Sequence, residues 1–455
     1  MTELKNIGTV YLIGIGGIGM SALARYFKAM GAAIFGYDRT RTPLTDELVK
    51  EGMNIIFEET TVNIPEVIDM VIYTPAVPKD HPAFEYFRSK NIPLLKRSEV
   101  LGLISDEYKT IAIAGTHGKT TTTTLTAHLL NKSKVGCNAF LGGISKNYSG
   151  NLILNATSEN MVVEADEYDR SFLKLHPSIA IITSIDPDHL DIYDTGKQFE
   201  STFAEFATQT KSSGNIILKK GIELDFKKNK GVQIYSYSLD GDADFTVKNV
   251  SVREGLYNFE FCTPQTVVKD LVLGIPGRFN LENAVAAMAA AYLTGITDDE
   301  MRLALASFQG VVRRFDVRNH SQSLVYIDDY AHHPTEINTF FTTIRELYPE
   351  RKLTCIFQPH LYSRTRDFMQ GFAESLSQFD SVILLPVYPA RELPIEGISS
   401  EVLLEKISCK EKLLLKKENV VEYLRNLRPK DILITMGAGD IDTLVNTISQ
   451  MLNEK

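Results

Sequence analysis

The sequence has few cysteines, no excess of basic residues and no long hydrophobic run. Each of these absences argues against a class of protein. The four cysteines are scattered without metal-ligand spacing, which predicts reduced thiols in a cytoplasmic protein. Lysine and arginine number 48 against 57 acidic residues, and the net charge of −9 argues against general nucleic-acid binding. No apolar run reaches membrane-spanning length, so we expect no membrane partner. The run Val10–Ile15 is too short, and too interrupted by glycine, for a signal peptide.

Length and composition indicate a globular protein of several domains. Apolar residues make up 44% and charged residues 23% of the chain, which is ordinary for globular proteins. A chain of 455 residues is long enough for two to four domains, and we expect three. Apolar strand-like runs alternate with helical segments, which predicts α/β domains with parallel sheets. We place the domains at residues 1–107, 108–319 and 320–455.

A first glycine-rich turn follows the apolar run near the N-terminus. Gly14, Gly16 and Gly19 form the pattern G-x-G-x-x-G before a helical segment, and Asp38 closes the next apolar run. Taken alone, this pattern predicts an anionic phosphate group at the start of a helix. A nicotinamide-dependent dehydrogenase and a nucleotide-sugar binder both fit it.

A second glycine-rich turn, in the segment IAIAGTHGKTTTTT, indicates a triphosphate site. Gly115 and Gly118 let backbone N–H groups point at phosphate oxygens. Lys119 supplies positive charge for the outer phosphates, and Thr120 offers a hydroxyl to Mg²⁺. The loop is a compact G-x-x-G-K-T, since the standard P-loop has its first glycine two residues earlier. This loop favours the nucleotide-sugar interpretation of the first turn.

Polar residues close several later strands, at the edge where open α/β sheets bind ligands. Glu164, in the segment EADE, is well placed for Mg²⁺, either directly or through water. His189, between aspartates in DPDHLD, is a candidate for a second metal ion or a phosphoryl oxygen. Arg314 and Arg364 carry the planar group that binds carboxylate or phosphate with two donors. The segment Asp328–Pro334 adds two aspartates, a tyrosine and two histidines at another strand end.

Three further segments give purely structural predictions. Short alternating runs over residues 232–275 predict a β-rich insert in the middle domain. The alanine-rich segment Pro276–Gly295 predicts a loop followed by a helix. The lysine-rich run Lys410–Lys417 predicts a solvated helix face.

Taken together, these segments resemble the Mur ligase family of peptidoglycan synthesis over nearly the whole chain. Three positions depart from the family's pattern: Phe279 stands where histidine is common, Ala331 where glycine is common, and Leu361 where some members have arginine. The third departure puts more of the carboxylate binding on Arg364. The segments that carry the resemblance, in the family's order, are GIGGIGMS, GTHGKTT, EADE, DHLD, GRFNLENA, RRFD, DDYAHHPTE, QPHLYSRTRD and GAGDI.

The resemblance implies an α/β fold of three domains. These are an N-terminal Rossmann-like UDP-binding domain, a central P-loop ATPase-like domain with a parallel sheet and a β-rich insert, and a C-terminal Rossmann-like domain. It also implies a cytoplasmic carbon–nitrogen ligase, monomeric or homodimeric, that uses ATP and Mg²⁺ in peptidoglycan synthesis. The implied reaction joins L-alanine to the lactyl carboxylate of UDP-N-acetylmuramate through an acyl phosphate.

The resemblance further assigns residues to each ligand. The implied catalytic residues are Lys119, Glu164, His189 and Arg364, and the metal ligands are Thr120, Glu164 and His189. The UDP-sugar residues are Gly16, Gly17, Ile18, Gly19, Met20, Ser21, Asp38, Thr42, Thr45 and Thr74. The ATP residues are Gly115, Thr116, His117, Gly118, Lys119, Thr120, Thr121, Asn280, Asn283, Arg314 and Asp329. The amino-acid residues are Tyr330, His332, His360 and Arg364.

Three alternatives stay open. A close relative within the family attaches a recycled peptide to the same sugar nucleotide, but its segment after EADEYD is longer than the one here. A dehydrogenase leaves the Gly-Lys-Thr loop unexplained. A nucleotide-regulated sensor without chemistry leaves Glu164, His189 and the later histidines and arginines without a role.

Overall fold

The computed structural model of the chain describes residues 4, 7–62, 64–186, 195–253, 255–390 and 392–454. The chain divides into two compact units. The larger unit comprises Met1–Ile275 and Asn280–Gln309, and the smaller one Pro276–Phe279 and Gly310–Lys455. Within the described ranges, no helix is long and apolar enough to cross a membrane.

The N-terminal part of the larger unit is a Rossmann-like sheet of five parallel strands. Its elements are β1 (Thr9–Ile13), α1 (Ile18–Ala29), β2 (Ala33–Tyr37), α2 (Pro43–Lys50), β3 (Asn54–Ile56), β4 (Met70–Tyr73), α3 (Pro82–Ser89), β5 (Leu94–Lys96) and α4 (Arg97–Asp106). The strand order β3-β2-β1-β4-β5 places β1 between β2 and β4. The first glycine turn, which connects β1 with α1, therefore lies at a topological switch point, where such sheets bind ligands.

The central part of the larger unit is a second, seven-stranded sheet. Its elements are β6 (Lys109–Ala114), α5 (Lys119–Asn131), β7 (Asn138–Ser145), β8 (Gly150–Ile153), β9 (Asn160–Glu164), a 3-10 helix (Tyr168–Lys174), β10 (Ile179–Ile182), α6 (Gly196–Thr208), β11 (Asn215–Lys219) and β12 (Gln233–Tyr237). The strand order is β12-β11-β10-β6-β9-β7-β8, and only the β7–β8 pair is antiparallel. β6, which leads into the second glycine turn, lies between β10 and β9, so the strand ends on both sides border that turn.

The predicted β-rich insert is confirmed in part. A three-stranded antiparallel sheet forms it, but β12, which falls inside the predicted range, pairs in parallel with β11 and belongs to the central sheet. The predicted alanine-rich helix is confirmed. The elements of this stretch are β13 (Thr246–Arg253), β14 (Leu256–Cys262), β15 (Val267–Val272), α7 (Arg278–Thr294) and α8 (Asp298–Ser307).

The smaller unit is built on a six-stranded sheet of order β16-β17-β21-β18-β19-β20, parallel except for the β16–β17 pair. The strands are β16 (Asp316–His320), β17 (Leu324–Asp329), β18 (Leu353–Phe357), β19 (Ser381–Leu384), β20 (Glu411–Leu414) and β21 (Asp431–Met436). The helices are α9 (Pro334–Leu347), α10 (Tyr362–Asp367), α11 (Met369–Leu376), α12 (Ser400–Lys406), α13 (Val420–Leu427) and α14 (Asp442–Asn453).

The prediction of a helix face at Lys410–Lys417 is wrong, because this run contains β20. β20 is the edge strand beside β19, and an edge strand leaves charged side chains in solvent. Leu413 and Leu414 pack against different hydrophobic clusters of the smaller unit. The segment therefore alternates between two faces of a sheet.

The first two sheets share one hydrophobic core. Leu23 and Phe27 of α1 and Val100 of α4 belong to the same buried cluster as Phe140 of β7 and Phe172 of the 3-10 helix. Helices of the N-terminal sheet are therefore packed directly on strands of the central one. This packing brings the first glycine turn close to the strand ends of the central sheet.

Candidate active site

Two glycines shape the turn between β6 and α5. Gly115 has φ +133° and Gly118 has φ +80°, both in the region that favours glycine. A Cβ atom at Gly115 would lie 2.2 Å from the Thr183 hydroxyl, and one at Gly118 would lie 2.4 Å from Oδ1 of Asn283. The loop is therefore compact, and Asn283, a predicted adenine-side residue, borders it directly. Asn280, also buried, lies one turn earlier on α7.

Two hydroxyl residues after β10 support this loop. Thr183 Oγ1 donates to the carbonyl oxygen of His117 at 2.5 Å, and Ser184 Oγ accepts from the His117 N–H at 2.8 Å. Neither residue is predicted from the sequence. The sequence does show that both residues directly follow an apolar strand. It does not show that this strand, β10, pairs with β6.

Lys119 is held in the loop as a charged group. Its Nζ atom lies 2.8 Å from Oε1 of Glu167 and donates to the carbonyl oxygens of Gly115 and Thr116. Burial alone would lower the pKa of Lys119, but the carboxylates of Glu167 and Glu164 outweigh it and raise the pKa. A buried, protonated amine at this place is what the outer phosphates of a nucleotide require.

Glu164 ends β9, the strand beside β6, so it lies at the same edge as the second glycine turn. Its carboxylate rests against the backbone of β7. A Cβ atom at Gly142 would fall 2.1 to 2.4 Å from the carboxylate atoms of Glu164, so only glycine leaves room for this position. Gly142 is not predicted from the sequence.

Oxygen donors are available here for a hard cation. Thr120 lies in the first turn of α5 and Glu164 at the neighbouring strand end, and hydroxyl and carboxylate oxygens suit Mg²⁺. The described ranges contain no group of three or more histidine, cysteine, aspartate or glutamate side chains that could hold a metal ion. His189 lies outside the described residues, and of its segment DPDHLD the structure describes Asp186 alone. Such a donor set fits Mg²⁺ that is shared with substrate phosphates.

Asp38 fixes the first glycine turn. Its Oδ2 atom accepts from the N–H of Gly16 at 2.7 Å, and its Oδ1 atom accepts from the N–H of Thr40 at 3.1 Å. Gly14 has φ +86°, and a Cβ atom there would lie 2.5 Å from Cγ2 of Thr74. The predicted aspartate therefore organises the loop backbone in this structure.

Three predicted hydroxyl residues of the same region contact the backbone nearby. Thr42 and Thr45 cap α2 reciprocally, each accepting from the other's N–H, at 3.2 and 2.8 Å. Ser21 is buried on α1 and donates to the carbonyl oxygen of Ile18 at 2.9 Å. Their roles toward a sugar nucleotide stay predictions.

A cavity of about 280 Å³ joins the first glycine turn to Glu164. The predicted residues that line it are Gly17, Ile18, Gly19, Met20, Thr74 and Glu164. Lining residues that sequence reasoning missed include Arg97, Phe140, Gly142, Asp166, Tyr168 and Ser171. The cavity therefore extends from the first glycine turn to a carboxylate beside the second glycine turn.

The smaller unit brings the four predicted amino-acid residues together. The ring centroids of Tyr330 and His332 are 5.2 Å apart, and those of His332 and His360 are 6.3 Å apart. The Nη1 atom of Arg364 lies 3.4 Å from Nδ1 of His360. Burial, together with the Arg364 cation, lowers the pKa of each histidine to about 4, so both are neutral at neutral pH.

Two adjacent arginines lie over the Tyr330 ring, but their contacts differ. The guanidinium carbons of Arg313 and Arg314 lie 5.0 and 4.8 Å from the ring centroid. Arg313 also donates to the carbonyl oxygen of Gly437 and to the carboxylate of Asp442, so it anchors the loop. Arg314 remains the predicted ligand-binding arginine of the pair.

Asp329 closes the turn that carries Arg314. Its Oδ2 atom accepts from the N–H of Phe315 at 2.7 Å, and its Oδ1 atom accepts from the N–H of Ala331 at 2.8 Å. Burial raises the pKa of Asp329 to about 6. Its observed contacts are with the backbone, and its role toward ATP stays a prediction.

Leu361, which precedes α10, has φ +69° and ψ +136°. A leucine held in this region costs on the order of 1–3 kcal/mol. Its N–H donates to the carbonyl oxygen of Tyr388 at 2.9 Å, and its own carbonyl oxygen accepts from the Thr365 hydroxyl at 2.7 Å. These contacts hold the start of the short helix that presents Arg364.

Comparisons with known proteins agree with this geometry. Three family models match the chain: the Mur ligase family catalytic domain over residues 9–109, the Mur ligase middle domain over 113–291, and the Mur ligase glutamate ligase domain over 313–439. The UDP-N-acetylmuramate–L-alanine ligase of Phocaeicola vulgatus is 47% identical over 459 residues, which cover 100% of both chains.

Solved structures agree as well. The UDP-N-acetylmuramate–alanine ligase of Thermotoga maritima matches with a TM-score of 0.83 and 27% identity, over 98% of this chain and 99% of that one. A murein peptide ligase of Psychrobacter arcticus matches with a TM-score of 0.70 and 21% identity, over 98% and 99% of the two chains. The second match shows a shared fold.

The three mainly parallel sheets and the two glycine turns define a three-domain α/β protein of the nucleotide-binding type. The chain belongs to the Mur ligase family. The predicted fold class is thereby confirmed. Membership of a ligase family also favours ligation over the dehydrogenase and sensor alternatives.

Proposed function

We propose that the protein is an ATP-dependent ligase that joins L-alanine to the lactyl carboxylate of UDP-N-acetylmuramate. The observation that carries this proposal is the cavity that leads from the first glycine turn to Glu164, beside the phosphate loop. A sugar nucleotide bound by that turn would extend its acid toward the outer phosphate of ATP. We place this enzyme in the cytoplasm, where the resemblance also puts it, and its being a monomer or a homodimer stays a prediction.

The first step is a phosphoryl transfer. A lactyl carboxylate oxygen attacks the γ-phosphorus of ATP, the bond to the β,γ-bridging oxygen breaks, and ADP leaves with its electron pair. Lys119 stabilises the charge on the outer phosphates, because its amine is protonated and lies in the loop. Asn280 and Asn283 on α7 would face the adenine, as the resemblance implies.

The second step forms the amide. The neutral amine of L-alanine attacks the acyl carbon, and the tetrahedral intermediate expels inorganic phosphate as the amine loses a proton. Arg364 would hold the alanine carboxylate with two donors. Tyr330, His332 and His360 would surround it, and the two neutral histidines would add no charge beside that cation. Arg314 and Asp329 are proposed to contact the nucleotide.

A Mg²⁺ ion would be held by Thr120 and Glu164, with His189 as the proposed ligand of a second ion. When bound, the ion neutralises phosphate charge during transfer. Glu164 is kept in place for this role by the absence of a side chain at Gly142. The protein's own part is therefore to position oxygen donors at the edge of the central sheet.

The test is an assay for ADP and for the coupled product. With ATP and Mg²⁺, we expect ADP and UDP-N-acetylmuramoyl-L-alanine in equal amounts, and only when both UDP-N-acetylmuramate and L-alanine are present. Turnover with a recycled tripeptide but not with alanine would indicate the peptide-adding relative. ADP release without either acceptor would contradict the proposal.

A further inference from the structure

Among the described residues, the cavity between the first glycine turn and Glu164 is lined by apolar, neutral polar and acidic side chains and by one cation. Among its described lining residues, Arg97 is the one lysine or arginine, while Glu164 and Asp166 are carboxylates. A substrate that carries a diphosphate and a carboxylate must find positive charge in this cavity. Arg97 is the side chain that can supply it.

Arg97 lies against the first glycine turn. It is the first residue of α4, and its side chain is 19% exposed. A Cβ atom at Gly19 would lie 3.0 Å from both Cδ and Nη1 of Arg97. The guanidinium group therefore lies beside the backbone that is predicted to bind phosphate.

A carboxylate just after β9 of the central sheet holds Arg97 in this orientation. Its Nη2 atom lies 3.3 Å from Oδ2 of Asp166, whose Oδ1 atom accepts from the N–H of Tyr168 at 3.1 Å. A guanidinium carries five N–H donors, and within the described part of the chain this one ion pair involves a single nitrogen. The other edge of the Arg97 guanidinium can bind an anion with two parallel N–H donors.

We propose that Arg97 binds the diphosphate of the UDP-sugar and is a binding residue for that substrate. This inference rests on the proposed function. The diphosphate is favoured over the lactyl carboxylate because the guanidinium lies at Gly19, where the glycine turn meets α1, while Glu164 marks the reacting end of the cavity.

The test uses two ligands that share the diphosphate and differ in the carboxylate. Binding of UDP-N-acetylmuramate and UDP-N-acetylglucosamine is measured by calorimetry, without ATP, for the parent protein and for Arg97→Ala. Loss of a bidentate, charge-assisted contact predicts a rise in Kd of roughly ten- to a hundredfold for both ligands. ATP affinity should not change.

Lys96→Ala is the matched control. Lys96 precedes Arg97 and pairs with Asp169 of the same segment at 3.1 Å, but it does not line the cavity. Its variant should keep the parent's Kd for both ligands. Equal weakening in both variants would mean that the ion pairs merely hold α4 in place, and it would overturn the proposal.

Other outcomes are equally decisive. A Kd that rises for UDP-N-acetylmuramate alone would assign Arg97 to the carboxylate, and unchanged Kd values for both would remove it from the site. Arg97→Lys, which keeps a cation opposite Asp166, serves if the alanine variant does not fold, and it should recover only part of the affinity. If the parent itself fails to bind UDP-N-acetylmuramate, the proposed function fails instead.

Discussion

The side-chain amide of Asn151 donates to the carbonyl oxygen of Ile18 at 2.6 Å, which joins β8 of the central sheet to the first turn of α1. The same amide donates to the Ser21 hydroxyl at 2.9 Å, and Oδ1 of Asn151 accepts from Arg25 at 2.6 Å. Asn151 is completely buried. One side chain thus connects the helix of the first glycine turn to the sheet that carries the phosphate loop.

Asn151→Ala should lower the stability of the larger unit. The substitution removes all three hydrogen bonds and leaves buried polar partners, at a cost of about 1–3 kcal/mol. Urea denaturation, followed by far-UV circular dichroism, measures the change. Asn258→Ala is the control, because the described contact of the Asn258 side chain is a local, 3.3 Å hydrogen bond to the carbonyl oxygen of Leu256. Equal effects of the two substitutions would contradict the inferred role.

Lys119→Ala should remove most ligase activity while the protein stays folded. Loss of one contact to charge that develops during transfer costs roughly 3–4 kcal/mol, or about a hundred- to thousandfold in rate. Steady-state ADP release measures it, with Lys132→Ala, at the far end of α5, as control. A folded variant with nearly full activity would refute the assignment of the ATP loop.

Gly142→Ala should raise the Mg²⁺ concentration needed for half-maximal activity. The added methyl would lie within 2.4 Å of the Glu164 carboxylate and must displace it. Displacing a metal ligand's support typically costs about tenfold or more in metal affinity. Gly150→Ala is the control, because its new Cβ would meet no atom closer than 3.7 Å. Unchanged Mg²⁺ dependence would argue against Glu164 as a ligand.

Arg364→Lys should raise the KM for L-alanine far more than the KM for ATP. Arginine holds a carboxylate with two parallel donors, whereas lysine offers a single charge on a flexible stem. With Leu361 in place of a second arginine, little redundancy remains. Arg366→Lys, which alters an exposed pair with Asp367, controls for charge geometry on α10. A higher KM for ATP alone would assign Arg364 to the nucleotide.

Asp328 should make the smaller unit less stable as the pH rises. Burial raises its pKa from 3.8 to about 7, against the opposing effects of Arg313 and Thr435. Between pH 4 and 7 the folded protein therefore keeps a proton that the unfolded chain has released, so stability falls across this interval, by about 4 kcal/mol in all, and the loss is complete above pH 7. Melting temperatures of the parent and Asp328→Asn should be close near pH 4 and diverge as the pH rises, because the neutral amide keeps the stability that the carboxyl loses when it ionises. A constant difference would refute the raised pKa.

The local features of this fold are readable from the sequence. The strands that lead into Gly14 and Gly115, and the strand that ends at Glu164, are short apolar runs followed by turn residues, and the structure confirms all three. These patterns depend only on residues that are close in the sequence, so they can be recognised without knowledge of the tertiary structure.

Contacts between distant segments are not readable in this way. Arg97 pairs with Asp166, and Thr183 with His117, across separations of 69 and 66 residues. Which residues meet depends on the order of strands in the sheet, and β6 has β9 and β10 as neighbours rather than β7. The edge strand within Lys410–Lys417 is not predicted, because it has only four residues. A pattern that short does not distinguish the two-residue period of a strand from the period of a helix.

The core that the first two sheets share makes them one cooperative unit of unfolding. Phe27 on α1 belongs to the same buried cluster as Phe140 on β7. If either sheet unfolds, the other therefore loses part of its hydrophobic packing. Heat or denaturant should therefore melt the N-terminal and central sheets in a single transition, although the family models divide them. A change that destabilises one glycine turn should also weaken the sheet that carries the other.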